Sequence, residues 1–542
     1  IEQPEELGIS LAKELKEACK ENLAENKKDL QEKEQKVSGK NVGKVWLVGA
    51  GPGDVGLFTL KGLQVLEQAD VVVYDSLVGQ GILTKIPYSA RLINVGKRAG
   101  HHTMPQEQIN QVLLEEANKG NKVVRLKGGD PFLFGRGGEE LELLTKEGIP
   151  YEIVPGVTSP VSVPAYNGIP VTHRDFCSSV HIITGHKRQG ESYNIDFEAL
   201  VRTKGTLVFL MGVSALGDIC QGLLQAGMDP DMPAALLIKG TTAAQRRIVA
   251  TVATLKEEVE RQGAETPAII VVGKVCSLAE EFEWYEKLPL AGKKILVTRP
   301  KELISEMSAK LRSAGAEVLE LPAIRTVPCE DQKRLVQALK EISTYQWLVF
   351  TSPTGVRVFF EEMDKQHMDI RALCRIRLAV IGSGTAKELK KHGLYPDLMP
   401  EEFYGEALGK ALAETCQDGE YILIPRAATG NQELVQILKD SKKVTIDDIA
   451  TYDTIYAGSA LIDEKQEFEN GSIDYAVFTS ASTVKGFAEA TKGLDYAKVH
   501  AVCIGRQTKA AADALGMQTE MSEKPTMDSV VEKVAELCQK QG

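Results

Sequence analysis

The chain has 542 residues, of which 43% are hydrophobic and 26% charged, and its formal net charge is −11. A chain of this length exceeds one hydrophobic core, so we expect about three or four domains. The negative charge argues against a nucleic-acid partner, because binding phosphates requires an excess of Lys and Arg. No apolar run approaches the roughly 20 residues that cross a bilayer, so we expect no membrane partner.

The nine cysteines lie singly along the chain, and no pair has CxxC spacing. Unclustered cysteines are typical of reduced thiols, which indicates a cytoplasmic protein. The eight histidines form no metal-ligand pattern, so we predict no metal site. The chain begins at Ile1 rather than Met, which indicates a fragment of a longer product.

Residues 1–43 are rich in Lys and Glu, and we predict a helical tail and a charged linker there. The chain changes character at Lys44, where the run KVWLVGAGPGD begins. Its apolar residues predict a buried parallel strand. Its glycines predict a turn at the sheet edge where open α/β sheets bind ligands.

The glycine turn is close to the dinucleotide-binding pattern, but Asp54 occupies the place of the third glycine. A carboxylate there would repel a pyrophosphate at the helix N-terminus. A nicotinamide oxidoreductase is one alternative, in which Asp75 would hold the ribose. The loop therefore predicts a site for a nucleotide-like cofactor other than a dinucleotide.

Strand and helix patterns alternate from residue 44 to about 155, and a second series of strand runs extends from about 176 to 285. The alternation predicts an α/β fold whose first sheet is mostly parallel and doubly wound. The run PLAG at residues 289–292 marks a linker, after which a new strand-turn unit begins with KKILVTRP.

The last part of the chain contains an internal repeat. Residues 348–359 are echoed by 476–487, and residues 378–393 by 501–516. Each copy has one strand that ends in Thr-Ser at a helix start and another that ends in Ile-Gly. Two such units would present hydroxyls and helix N-termini to a shared cleft, which suits an anionic ligand.

The most informative motif is RLKGGDPFLFGRGGEE, at residues 125–140. Its two glycines at a strand end would let a ligand approach the backbone closely, and Asp130 could bind a hydroxyl pair such as a ribose. Arg136 and Glu139 lie on one helix face. By itself a Gly-Gly-Asp is more often a tight loop, here with an exposed Arg–Glu pair.

Three further motifs would be ordinary structural features if each were judged alone. VPGVTS contains Thr158 and Ser159, which could simply cap a helix. GIPVTHR carries Arg174 after a rigid turn. Met211 follows the strand run TLVFLMG and could be a core residue.

Region 44–286 resembles uroporphyrinogen-III C-methyltransferase, the enzyme that makes precorrin-2. The motifs that carry the resemblance are, in chain order, GAGPGD, YDSLV, GKRAGHH, RLKGGDPFLFGRGGEE, VPGVTS, GIPVTHRD, TGHK and FLMG. The resemblance implies two α/β lobes, about 44–156 and 176–286, with S-adenosyl-L-methionine in the cleft between them. Because the family is usually dimeric, it also implies a homodimer.

The resemblance also implies roles for individual residues. Asp75 would be a proton acceptor and Lys97 a proton donor. Arg136, Glu139 and Arg174 would handle the substrate, and Asp54 and Arg98 are further substrate-binding candidates. The residues expected to bind the cofactor are Pro52, Gly128, Gly129, Asp130, Leu133, Thr158, Ser159, Met211 and Gly240.

The implied substrate is a polyanion, so an acidic protein must gather cations around it. Residues 91–136 hold eight Lys or Arg against four Asp or Glu, and we expect this excess to serve the pocket. Methyl transfer to a pyrrole carbon needs alignment of the two reactants and a base that removes a proton. An Asp and an Arg in an unusual environment are competing candidates for that base.

Region 291–542 resembles uroporphyrinogen-III synthase, which closes hydroxymethylbilane without a cofactor. The motifs are KILVTRP, LPAI, FTSPTGV, IGSGTA, YILIPRA, TYDTIY and FTSASTV. The resemblance implies two α/β lobes joined by a two-stranded link: residues 293–325 with 455–542, and residues 328–450. Tyr452 is the best acid candidate. Candidate carboxylate binders are Thr351, Ser352, Thr479, Ser480 and Thr508, each of which could instead cap a helix.

Together the two resemblances imply a bifunctional enzyme of tetrapyrrole biosynthesis, because the product of the synthase is the substrate of the methyltransferase. The opening run PEELGISLAKEL resembles the last helix of hydroxymethylbilane synthase, which would supply the preceding step. A methyltransferase of a later cobalamin precursor is an alternative. The second half could then be inactive or merely bind a ligand.

Overall fold

The computed structural model describes residues 42–96, 104–185, 195–298, 304–321, 324–329, 331–428, 430, 432–456 and 462–541. The predicted helical tail lies outside the described residues, as do Lys97 and Arg98. We refer to residues 44–286 as the first half and to residues 291–542 as the second half. Each half contains two five-stranded sheets.

The first sheet consists of β1 (Lys44–Gly49), β2 (Val71–Tyr74), β3 (Arg91–Asn94), β4 (Lys122–Lys127) and β5 (Tyr151–Val154). The order is β3-β2-β4-β1-β5, and all neighbours are parallel. Val45, Leu47 and Val48 of β1 are fully buried because apolar clusters cover both faces. The predicted doubly wound parallel sheet is confirmed.

The second sheet consists of β6 (Val180–Thr184), β7 (Thr206–Leu210), β8 (Pro233–Ile238), β9 (Arg246–Thr251) and β10 (Ala268–Val272). In the order β6-β7-β10-β8-β9, β6 and β7 pair in parallel and the other neighbours are antiparallel. The sequence analysis missed β9. Its sequence RRIVAT begins with two arginines, which are tolerated because β9 is an edge strand. A search for runs of apolar residues does not detect such a strand.

The strands of the second half are β11 (Lys294–Thr298), β12 (Glu317–Leu321), β13 (Ile324–Pro328), β14 (Trp347–Phe350), β15 (Arg377–Val380), β16 (Tyr421–Ala427), β17 (Thr445–Tyr456), β18 (Tyr475–Phe478), β19 (His500–Cys503) and β20 (Gln518–Met521). The third sheet is parallel, in the order β12-β11-β18-β19-β20. The fourth has the order β13-β17-β16-β14-β15.

Two chain segments connect the third and fourth sheets. β13 and β17 pair antiparallel and form the link that the resemblance implies, and both belong to the fourth sheet. The predicted lobe limits at residues 325–328 and 450–455 therefore fall inside these two strands. The internal repeat corresponds to two parallel pairs, β14 with β15 and β18 with β19.

The helices of the first half are α1 (Leu60–Leu66), α2 (Gln80–Leu83), α3 (Gln106–Asn118), α4 (Gly137–Lys146), α5 (Ser159–Tyr166), α6 (Phe197–Thr203), α7 (Leu216–Gln225) and α8 (Leu255–Gln262). Those of the second half are α9 (Ile304–Ser313), α10 (Lys333–Lys340), α11 (Pro353–Lys365), α12 (Ser383–Lys391), α13 (Gly405–Thr415), α14 (Glu433–Ser441), α15 (Glu464–Glu469), α16 (Ala481–Ala490), α17 (Arg506–Asp513) and α18 (Met527–Gln541). Among the described residues, no helix combines the length and apolar character needed to cross a membrane.

Candidate functional site

The loops that follow β1 and β4 meet at the carboxyl edge of the first sheet. The amide of Gly129 donates to the carbonyl of Gly51 at 2.7 Å, and the amide of Gly51 donates to the carbonyl of Gly129 at 3.1 Å. Gly51 and Gly129 have φ angles of +75° and +67°, which only glycine adopts readily. The reciprocal bonds hold the two predicted ligand loops side by side.

A cavity of about 380 Å³ opens beyond these loops, between the first and second sheets. All nine residues predicted to bind the cofactor line this cavity, although they come from five separate segments of the chain. Asp75 and Arg136 line it as well. The structure therefore brings together residues that the sequence analysis could relate only through resemblance.

Asp130 organises the loop in which it lies. Its Oδ1 accepts hydrogen bonds from the amides of Phe132 and Leu133, at 2.8 and 3.1 Å. Its Oδ2 accepts from the amide of Gly156 at 3.0 Å, which ties the β4 loop to the loop after β5. The carboxylate thus shapes the cavity wall in addition to its predicted contact with a hydroxyl pair.

The hydroxyls of Thr158 and Ser159 are available to a ligand. Thr158 precedes α5 as its N-cap residue, yet its side chain makes no capping hydrogen bond. Within the described part of the chain, neither hydroxyl forms a hydrogen bond. The structure thus does not support the simple helix-cap interpretation at this position.

Exposed apolar side chains line the same cavity. Leu77 is 62% exposed, Met211 51% and Phe134 43%. Met211 and Phe134 have φ angles of +55° and +54°, so each lies on a strained turn that directs an apolar group to the cavity. The sequence analysis missed Leu77 and Phe134; their only signal was their place in motifs already recognised, YDSLV and FLFGR.

A buried ionic cluster forms the polar floor of the cavity. Glu140 Oε1 accepts from Lys127 Nζ at 2.7 Å and from Arg125 Nε at 3.1 Å, and all three side chains are at most 6% exposed. Arg125 also contacts Asp75 Oδ2 at 3.3 Å. Burial, followed by repulsion from Arg125, lowers the pKa of Lys127. The cluster anchors Asp75, which itself remains 23% exposed.

Glu139 and Glu140 have different roles. Glu139 pairs with Arg136 at the exposed start of α4, with both side chains about half exposed. This is the exposed Arg–Glu pair that the sequence analysis kept as an alternative. Glu140, which the analysis did not select, is the buried member of the motif. Adjacent helix positions face different directions, and the sequence alone did not show which one faces the sheet.

Two other candidates lie away from this cavity. Arg174 is exposed in the segment between α5 and β6 and does not line the cavity. Asp54 Oδ1 accepts from the amide of Gly56 and caps a short 3-10 turn, while Oδ2 accepts from the Tyr166 hydroxyl at 2.7 Å. Asp54 lines a second cavity, between the two halves of the chain.

The cationic excess of residues 91–136 is only partly directed to the cavity. Arg91 and Lys119 both pair with Glu116, on α3 and away from the glycine loops. Of the eight cations, Arg125, Lys127 and Arg136 line the cavity, and Lys97 and Arg98 lie outside the described residues. A count along the sequence therefore overestimates the charge available to a ligand.

In the second half, each predicted Thr-Ser pair lies at the carboxyl end of a strand. Thr351 and Ser352 follow β14, and Thr479 and Ser480 follow β18. Ser352 accepts from the amide of Gly355 and caps α11. Ser480 forms a capping box with Thr483 at the start of α16. The serines therefore serve as caps. The hydroxyls of Thr351 and Thr479 form no hydrogen bond with the described residues.

Tyr452 lies on β17 and is 6% exposed. Its hydroxyl forms a 2.7 Å hydrogen bond with the Ser352 hydroxyl. Burial raises the pKa of Tyr452, so its hydroxyl stays protonated at neutral pH, as that of an ordinary tyrosine does. Thr508 is also buried, at 4% exposed, in the first turn of α17, and its role as a carboxylate binder stays a prediction.

Two family models match the chain. Tetrapyrrole (corrin/porphyrin) methylases match residues 44–256, and uroporphyrinogen-III synthase HemD matches residues 305–532. The porphyrin biosynthesis protein HemD of Ruminiclostridium josui is 48% identical over 495 residues, which cover 91% of this chain and 98% of that protein. The chain belongs to this family.

Two further comparisons are with C-methyltransferases. The uroporphyrinogen-III C-methyltransferase of Bacillus subtilis (strain 168) is 41% identical over 352 residues, 65% of this chain and 72% of the relative. A solved structure, uroporphyrin-III C-methyltransferase from Thermus thermophilus complexed with S-adenyl homocysteine, is 38% identical. The aligned region covers 43% of this chain and 99% of the Thermus thermophilus chain, with a TM-score of 0.38.

The two matched domains make the chain a bifunctional enzyme of tetrapyrrole biosynthesis, with a C-methyltransferase in the first half and a uroporphyrinogen-III synthase in the second. The family predicted from the sequence motifs is confirmed. The nicotinamide alternative has no support, because both family models and the relative that spans 91% of the chain belong to tetrapyrrole biosynthesis.

Proposed function

We propose that the second half cyclises hydroxymethylbilane to uroporphyrinogen III and that the first half methylates this product to precorrin-2 with S-adenosyl-L-methionine. The single observation that carries the methyltransferase assignment is the cavity between the first two sheets, where all nine predicted cofactor residues converge. The family membership of both halves supports the order of the two reactions.

The chemistry of the cavity fits an adenosyl cofactor. Gly129 has no atom within 4 Å of the place of a Cβ, so a ligand can lie directly against its backbone. Leu133, Leu237 and Ile269 provide apolar walls suited to an adenine ring. The free hydroxyls of Thr158 and Ser159 provide polar partners. We propose the nine lining residues as the cofactor-binding set.

When bound, S-adenosyl-L-methionine supplies a methyl group on a positively charged sulfur. The residues of the chain align a pyrrole carbon with that methyl group, and Leu77, Phe134 and Met211 offer apolar surface to the tetrapyrrole. We assign proton acceptance to Asp75, because it lines the cavity and Arg125 fixes its orientation. Arg136 and Glu139 are assigned to substrate binding at the rim.

In the second half, we assign the acid role to Tyr452, whose protonated hydroxyl could assist departure of water from hydroxymethylbilane. Thr351 and Thr479 are assigned to the carboxylates, because they lie beside helix N-termini, which attract anions. Ser352 and Ser480 would contribute mainly by holding those helix starts in place.

One experiment tests both activities. The purified protein is given hydroxymethylbilane as the sole tetrapyrrole, together with S-adenosyl-L-methionine labelled in the methyl group. The expected result is labelled precorrin-2 derived from the III isomer. Formation of only the I isomer would contradict the synthase assignment. Unmethylated uroporphyrinogen III, or methylation of a later cobalamin precursor only, would contradict the methyltransferase assignment.

We further propose that the enzyme is cytoplasmic, forms a homodimer through its first half and binds small molecules rather than nucleic acid. The net charge of −11 supports the absence of a nucleic-acid partner, and the eight free cysteines among the described residues support a reducing compartment. The proposed dimer rests on resemblance. Analytical ultracentrifugation would test it, and a species near 59 kDa, the mass of one chain, would contradict it.

A further inference from the structure

Strand β12 of the second half contacts the first half beside the proposed cofactor cavity. The strand meets two loops of the first half. One follows β2 in the first sheet and carries Asp75 and Leu77; the other follows β8 in the second sheet and carries Gly240. Both loops line the cavity.

The contact with the first sheet is an ion pair beside a close approach. Lys85, just after α2, binds Glu320 of β12 at 2.6 Å, and Arg312 binds the other oxygen of Glu320 at 2.7 Å. Glu320 is only 5% exposed. A Cβ at Gly81 of α2 would lie 3.6 Å from the carbonyl of Val318. The helix that follows Leu77 is thus held directly against β12.

A polar network reinforces this side of the contact. Gln80 of α2 accepts from Lys294 of β11 at 2.8 Å and donates to Glu467 at 2.8 Å, while Lys294 also pairs with Glu467 at 2.8 Å. Lys294 is 13% and Glu467 20% exposed. A network with several partly buried members constrains α2 more than an isolated surface pair would.

The contact with the second sheet uses the first residue of β12. Glu317 accepts from the amide of Ala243 at 2.8 Å, three residues beyond Gly240 in the chain. The same loop reaches the first sheet, because the Thr241 hydroxyl accepts from the amide of Asp54 at 3.3 Å. One acidic strand of the synthase therefore contacts the segments that carry both of these cavity-lining loops.

The space between the halves continues the cofactor cavity. A second cavity of about 340 Å³ is lined by residues of both halves, and Pro52, Leu77 and Gly240 line both cavities. A shift of β12 would therefore move residues that also contact the cofactor site, without any change in those residues themselves.

We propose that β12 of the synthase half sets the spacing of the two methyltransferase lobes, so that Glu317 and Lys85–Glu320 are positioning residues for cofactor binding. This inference rests on the proposed cofactor site. It means that the fused synthase is a structural part of the methyltransferase cleft rather than a neighbour joined by a linker.

The test compares the double variant K85M/E317A with the wild-type chain. K85M leaves Glu320 paired with Arg312, and E317A removes the acceptor of the Ala243 amide. The probes are S-adenosylhomocysteine binding by calorimetry and methyl transfer to uroporphyrinogen III supplied directly. We expect the Kd of S-adenosylhomocysteine and the KM of S-adenosyl-L-methionine to rise about three- to ten-fold, with kcat and the synthase rate within about two-fold.

Two matched variants separate positioning from general damage. K85R/E317Q keeps a cation and an acceptor, so it should restore the Kd; E258A removes an exposed pair on α8 and should change nothing. An unchanged Kd in K85M/E317A, or equal losses of both activities, would overturn the inference. If the wild-type chain itself did not bind S-adenosylhomocysteine, the proposed cofactor site would fail and the inference with it.

Discussion

The two halves of the chain place their candidate residues differently. In the first half, backbone, hydroxyl and apolar groups face a common cavity, and their anchors are buried beneath it. In the second half, the predicted hydroxyls divide, because Ser352 and Ser480 cap helices while Thr351 and Thr479 remain available. In each Thr-Ser pair the serine therefore has a structural role, and the threonine is the one proposed to bind substrate, whereas the residues of the glycine-rich motifs line one cavity.

The difference follows from the chemistry that each half must perform. Methyl transfer requires a cofactor to be held in a fixed geometry, which favours glycine turns, positive φ angles and buried ion pairs. Cyclisation of a reactive linear tetrapyrrole requires mainly that a polyanion be folded and held. Helix N-termini with a few hydroxyls suffice for that task.

The largest expected effect concerns the buried cluster of the first half. E140Q would leave Arg125 and Lys127 side by side without their shared carboxylate, which should cost about 3 kcal/mol. Calorimetry should show the unfolding transition of the first half roughly 6–12 °C lower. The control E139Q, at the adjacent exposed pair, should shift it by about 2 °C or less. Equal shifts would contradict the assignment of Glu140 as the anchor.

Substitution of Asp75 should affect methyl transfer alone. D75N removes the proposed proton acceptor but keeps a side chain of the same size, so kcat should fall about 100-fold. The Kd of S-adenosylhomocysteine and the synthase rate should stay close to the wild-type values. A normal kcat would exclude Asp75 as the base, and a parallel loss of cofactor binding would show that it acts on the cavity instead.

Several features were predictable because they depend on local pattern. The five strand runs of the first sheet are mainly apolar and bounded by turns. The nine cofactor candidates came instead from the family resemblance, and the structure shows that they line one cavity. The features that were missed depend on tertiary context. These include β9 with its two arginines, the burial of Glu140 rather than Glu139, and the contact of Glu317 with Ala243 across 74 residues.

Substitution of Tyr452 tests the synthase activity of the second half without affecting the methyltransferase cavity of the first half. Y452F removes the hydroxyl that binds Ser352, so the rate of uroporphyrinogen III formation should fall about ten-fold. This is less than the roughly 100-fold or more that is usual for a general acid, because the linear tetrapyrrole is itself reactive. The fraction of the I isomer should rise accordingly. The control Y421F, at an exposed position on β16, should leave the isomer ratio unchanged.

The division of roles within a Thr-Ser pair can be measured directly. S480A removes the cap of α16, so the free energy of unfolding of the second half should fall by about 1 kcal/mol with little change in KM. T479A should do the reverse, with a raised KM for hydroxymethylbilane and unchanged stability. If S480A and T479A changed the same quantity, the contrast between caps and binders would be lost.

The smallest expected effect is a pH dependence confined to the first half. Glu152 on β5 accepts from Lys44 at 2.7 Å and from the Trp46 indole at 3.1 Å, and it also pairs with Lys61. The hydrogen bonds from Lys44 and Lys61 lower the pKa of Glu152 from 4.5 to about 2. A carboxylate whose pKa is lowered on folding stabilises the protein above its ordinary pKa. That contribution is lost as the pH falls from about 4.5 towards 2.

The variant E152Q isolates this contribution, because it cannot ionise. Glu152 is 30% exposed, so solvent and salt screen its pairs and the gain should be only about 0.5 kcal/mol. The Tm of the wild-type first half should exceed that of E152Q by about 1–2 °C at pH 6, and the difference should shrink towards pH 3. The control E257Q, at an exposed position on α8, should show no such convergence. A difference that stayed constant between pH 6 and pH 3 would mean that Glu152 contributes packing rather than charge.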